Sequence, residues 1–196
     1  MKKSLLCLTA IGILFAACDK KPDAEAKPEA KPAAAPAAPR HAYAAPDSFK
    51  AGLDKVYQGY ANIESALAHD DFEGAKAEFG TMHGILHVIQ TEGLDSAAKS
   101  AWDSLEASFM GVLHPMASSP DIAGMRDHFI DFTPLMVEAL DNFGAGTQGK
   151  AFLFHCPMAR NNQGADWLQR DSVLVNPYFG NTMPACGSLV RKVDLL

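Results

Sequence analysis

Hydrophobic residues recur every three or four positions through four stretches of the chain. Phe49, Leu53, Val56, Tyr60, Ile63 and Leu67 line one helical face, and Phe72, Ala75, Phe79, Met82, Leu86 and Ile89 line a second. A third face runs through Trp102, Leu105, Phe109 and Leu113, and a fourth through Ile122, Met125, Phe129, Phe132, Met136 and Leu140. Start signals sit ahead of each stripe. Asp47 is placed to cap the first helix, Asp70 with Glu73 has capping-box spacing for the second, and Asp95 opens the third. In "SSPD", Ser119 reads as the fourth cap, with Pro120 in the first helical position. Gly93 and "FGAGTQG" end helices, and Pro134 predicts a kink or short break inside the fourth. Four amphipathic helices with short connections predict a mainly α fold, an antiparallel four-helix bundle.

After Gly149 the pattern changes. "AFLFHC", "SVLV" and "SLVRKV" read as short extended segments separated by the turn-rich "NNQG", "NPYFGN" and "CG". The expectation is an irregular C-terminal tail, about 150–196, that packs on the bundle and completes a domain spanning 47–196.

The N-terminal residues are of another kind. Lys2 and Lys3 precede an apolar run from Leu5 to Ala17, too short for a bilayer span of roughly 20 residues but suited to a secretory signal. "LFAAC" resembles a bacterial lipobox, which implies a signal over 1–18 and lipidation of Cys18. Asp19 then resembles a signal for inner-membrane retention, and the expected location is the periplasmic side of the envelope. Residues 19–46, rich in proline, alanine and alternating charge, read as a semi-extended tether in which His41 is solvated. The formal charge is −6, and loss of Lys2 and Lys3 with the signal takes it to −8. An acidic domain argues against nucleic-acid binding, which needs a basic face.

Export also decides how the cysteines are read. Cys7 leaves with the signal and Cys18 carries lipid, so the domain keeps Cys156 and Cys186. In an oxidising compartment a disulfide between them is the default; it would close the loop 156–186 and contribute about 3 kcal/mol. The competing reading is a soft-metal site. Cys156 and Met158 share a face if the segment is extended, and Met183 and Cys186 flank a turn at Pro184. Thiolate and thioether sulfur favour Cu(I). His155 is a further candidate, as are His83 and His87 at i, i+4 in "MHGILH", where Gly80 and Gly84 suggest close approach of another element. Met110 with His114, and Met125 with His128, repeat helical Met/His spacing. No HExxH, paired ExxH, CxxCH, CxxC, Walker or G-x-S-x-G motif is present, so binding rather than catalysis is expected.

The tail "HCPMARNNQGADWLQ", with "NPYFG", "M" and "CG" after it, resembles the family catalogued as domain of unknown function 3347. "MRDHFIDFTPLM" is similar to the helix that precedes the tail in that family. Its members occur as exported proteins and on adaptor subunits of copper and silver efflux systems. By position, Cys156, Met158, Met183 and Cys186 match its sulfur pattern, and Gly164, Ala165, Trp167, Asn176, Pro177, Tyr178 and Gly180 its scaffold. The resemblance implies heavy-metal handling, with a copper-efflux adaptor or other envelope protein as partner. A disulfide-stabilised interaction module that binds no metal stands as the alternative.

Overall fold

The computed structural model describes residues 41–196. The expected signal and tether up to residue 40, including Cys7, Cys18 and Asp19, lie outside the described residues. Four helices form the body: α1 (Asp47–Ala68), α2 (Phe72–Val88), α3 (Ser96–Ala117) and α4 (Ile122–Phe143). They pack in sequence order, and α4 closes the ring against α1. The apolar stripes supply the core, where Phe49, Leu53, Ile63, Trp102, Phe109, Phe129 and Leu140 are fully buried. The fold is mainly α, as the periodicity predicts.

The caps fall beside their expected positions. Asp71, not Asp70, caps α2 by accepting from the Gly74 N–H at 2.9 Å. Asp121 rather than Ser119 caps α4, accepting from Gly124. Asp95 caps α3 as expected. Asp47 lies inside the first turn of α1 after Pro46, where its charge faces the helix dipole without a capping bond. Pro134 does not end α4, and Pro115 does not end α3; both helices run on past the ring.

The extended segments of the tail join into a small antiparallel sheet. Strand β1 (Lys150–Cys156) is central, with β2 (Ala165–Gln169) and β3 (Ser188–Asp194) on either side. The β1–β3 register shifts between Leu153 and Phe154, a bulge in the ladder. "SVLV" is a loop rather than a strand. There the Gln169 side chain accepts from the Val175 N–H and donates to the Val173 carbonyl, and Asp171 accepts from the Val173 N–H. Those side-chain bonds occupy backbone groups that a ladder would need.

β2 packs on α4 and α1. The Tyr60 hydroxyl at the seam meets Thr133 of α4 at 2.7 Å and accepts from the Leu168 N–H of β2 at 3.0 Å. Trp167 is fully buried, stacked on Phe154 and edge-on to Tyr178. Residues read as the end of a tether are docked as well. Tyr43 stacks on Phe143 and donates its N–H to Asn142, while His41 is half-buried, not solvated, with Nε2 on the Leu196 carbonyl.

Candidate functional site

The strand register of β1 sets the first sulfur. Leu153 and Phe154 are both buried at the bulge, and Cys156, two residues after Phe154 on the same side of the strand, is completely buried at its end. The second sulfur arrives from the loop before β3, and Asn176 fixes that loop. Its Oδ1 accepts from the Tyr178 and Phe179 N–H groups, and its Nδ2 donates to the Cys186 carbonyl at 2.6 Å. Gly187 follows with φ +146, and a Cβ there would stand 2.7 Å from the Trp167 ring. Asn176, Gly187 and the buried Trp167 thus hold Cys186 against β1.

The Cys156 and Cys186 sulfurs are 3.2 Å apart, as free thiols. That separation exceeds the disulfide bond of about 2.05 Å. It falls short of the roughly 3.8 Å between two thiolates on a tetrahedral ion with bonds near 2.3 Å. Either state is within about 1 Å of the observed arrangement. The Cys186 thiol is raised above the usual cysteine range, first by its hydrogen bond to Cys156 and then by burial, with an opposing backbone hydrogen bond from Met158. The Cys186 N–H donates to the Met183 carbonyl at 3.3 Å. Cys186 therefore links all four sulfur residues: side chain to Cys156, side chain to the Met158 backbone, backbone to Met183.

Met158 is exposed and lines an open cleft of about 560 Å³ with Arg126, Arg160, Asn161, Tyr178 and Phe179. The cleft wall is a turn with three successive left-handed residues, Arg160, Asn161 and Asn162, at φ 52°, 54° and 65°. Asparagine tolerates this region better than most residues, but Arg160 does not gain that ease. Arg160 pairs with Asp131 of α4 at 2.9 Å. Arg126 closes the floor: Nε donates to Pro177, and Nη2 to Leu67 and to Asp70. That pairing lowers the Asp70 carboxyl pKa, helped by the Asn181 N–H. Sequence reading missed Arg126, Asn181 and the left-handed turn; "RNN" before Gln163-Gly164 was the available signal for the last.

The histidine candidates separate from the sulfurs. His155 points to the other face of β1, as strand alternation requires, and its Nδ1 meets Asp166 across the ladder at 2.6 Å. His83 and His87 neighbour each other on α2, with ring centroids 4.6 Å apart. Gly80 and Gly84 beside them admit no close neighbour: a Cβ at either position would meet nothing within 4 Å. Among the described residues, no three His, Cys, Asp or Glu side chains already close on one point as a metal site.

Residues 56–148 match the family model described as a protein of unknown function, DUF3347. The match runs from α1 to the loop before β1, a little under half of the chain. It therefore covers the bundle and stops short of the cysteine- and methionine-bearing sheet. No curated protein and no solved structure matches the chain. Among the described residues no helix is long and apolar enough to cross a membrane.

Proposed function

We propose that this chain is an exported, lipid-anchored protein that binds Cu(I) through Cys156 and Cys186 and sequesters the ion or passes it to an efflux adaptor. The observation that carries the reading is the convergence on Cys186, which holds the Cys156 sulfur at 3.2 Å and bonds to the backbones of Met158 and Met183. Two thiolates are soft donors of the kind Cu(I) prefers, and Met158 and Met183 carry thioethers on backbone that touches Cys186. The resemblance of the tail to domains found on copper and silver efflux adaptors supports the same direction. Because the Cys186 pKa is raised, the ion must displace the thiol proton as it binds, so affinity rises with pH. The test is a Cu(I) competition titration of the reduced whole chain against a chromophoric chelator. Tight one-to-one binding is expected, with a loss of more than a hundredfold in Cys186→Ser and a smaller loss in Met158→Leu. An affinity unchanged by Cys186→Ser refutes it.

The same 3.2 Å contact favours a second reading, a disulfide-stabilised interaction module. Both thiols would give up their protons and one electron each to an oxidant, and the bond would pin β3 to β1. Thiol counting on unreduced protein separates the two. A lasting disulfide, with no Cu(I) uptake after reduction, selects the module.

A further inference from the structure

A second group of metal-binding side chains lies on the opposite kind of surface, a bare helix seam. On α2, His83 and His87 are one turn apart. The antiparallel α3 brings His114 alongside, with its ring centroid 5.6 Å from that of His83. Glu106, two turns before His114 on the same face of α3, reaches His87 Nδ1 at 3.5 Å. Three imidazoles and a carboxylate from two helices thus occupy one patch.

The spacing can be compared with a bound ion. Imidazole nitrogens at about 2.0–2.1 Å from a tetrahedral ion place the ring centroids roughly 5 Å apart. The observed 4.6 and 5.6 Å bracket that value. The rings do not yet face one point: His83 stands at 78° to His87 and 31° to His114. Closing a site requires the side chains to rotate.

The sequence leaves room for that rotation in an unusual way. A glycine lies three residues before each histidine: Gly80, Gly84 and Gly111 before His83, His87 and His114. Helical side chains lean back over the preceding turn, so these are the positions the imidazole rings sweep. A Cβ at any of the three would meet nothing within 4 Å. Packing therefore gives no reason for glycine there, and each costs a helix about 1 kcal/mol relative to alanine. Clearance for three rings does give a reason. Glu106 adds the carboxylate that commonly orients a ligating histidine, holding Nδ1 and leaving Nε2 for the ion.

We infer that His83, His87 and His114, with Glu106 behind His87, form a separate site for a divalent ion that favours imidazole, Zn(II) or Cu(II). Its donors are nitrogen and oxygen where the tail offers sulfur; thiolates also take Zn(II), so the histidine site is read with the thiol pair broken. The site does not depend on the thiol reading. It is tested by titrating the whole chain with Zn(II) alone against a competing chelator, in the wild type and in Cys186→Ser, and then with His83→Gln, His114→Gln, Glu106→Gln or His69→Gln added to Cys186→Ser. These histidines lie on the surface or half-buried, so the variants keep the fold; circular dichroism checks that. One Zn(II) per chain is expected in Cys186→Ser with or without His69→Gln, and at least one in the wild type. His83→Gln and His114→Gln should each weaken binding more than tenfold, and Glu106→Gln about tenfold. The inference is overturned by absent Zn(II) binding, by binding that survives both histidine substitutions, or by binding lost in Cys186→Ser. Failure of Cu(I) uptake at the thiols leaves it standing.

Discussion

At the scale of single residues, Glu64 is the group most at odds with its surroundings. It is buried in α1, its Oε1 has no hydrogen-bond partner, and burial holds its carboxyl well above the usual range, with Asp171 adding to the rise and Arg170 opposing it. An unfolded glutamate ionises near pH 4.3, so the folded chain binds the extra proton above that value. Its contribution to stability is complete below the unfolded pKa and is lost as pH rises through the folded one. Glu64→Gln keeps the shape and removes the titration. Urea midpoints at pH 5 and pH 8 should fall with pH in the wild type by more than in the variant. An equal fall in both would place the pH dependence elsewhere. Asp70 has the opposite sign. Its pKa is lowered by Arg126, so its contribution is present above the unfolded value and disappears as pH drops through the folded one. Its exposure keeps that contribution below about 1 kcal/mol.

Elements show where sequence reading was sharp and where it was blunt. The four stripes located the helices because burial on a 3.6-residue period leaves a long, redundant signal. Single caps carry no such redundancy. "DD" and "SSPD" each offer neighbouring acceptors, and Asp70 lost to Asp71 because its backbone turns left-handed at φ +59 and its carboxylate is drawn to Arg126 and Asn181. "SVLV" read as a strand by composition, yet the Gln169 and Asp171 side chains hold it as a loop. "ADWLQ" hid its strand because Trp167, Leu168 and Gln169 are all buried, which erases the alternation. For the thiol site, the four sulfur residues were legible from spacing. Asn176 was visible as a turn former, but its grip on Cys186 depends on a loop path that no periodicity encodes. The histidine seam needed the helix pairing before His114 could join His83. The caps that do form make a quantitative expectation: Asp71→Ala and Asp95→Ala should each cost about 1 kcal/mol in urea denaturation, and nearly add in the double variant. Asp47→Ala, which loses no capping bond, should cost less.

For the whole molecule, the polar ties between sheet and bundle run from buried, at Tyr60, to partly exposed, as in the Arg191–Asp141 pair between β3 and α4. Tyr60 is the main one, since a single hydroxyl serves α1, α4 and β2. Tyr60→Phe leaves the Leu168 N–H buried without a partner, a cost of about 1–3 kcal/mol. Hydrogen exchange should show faster opening at β2 than in the middle of α3. Uniform acceleration across the chain would mean that sheet and bundle open only as one unit. The family match covers the bundle alone, while the sulfur pair is built where the sheet folds back on itself. The two parts nevertheless share Tyr60, Arg126 and the run of ring contacts from Phe129 through Tyr178 to Trp167.

The meeting of His41 with the Leu196 carbonyl has a consequence for how the chain can be rewired. The two ends of the described fold are in contact, and Tyr43 is anchored beside them on α4. A short glycine linker could join residue 196 to residue 41, and new termini could open in the turn between α3 and α4, at the opposite end of the bundle. Such a circular permutant would keep every helix and strand intact while moving any attached partner from one end of the bundle to the other.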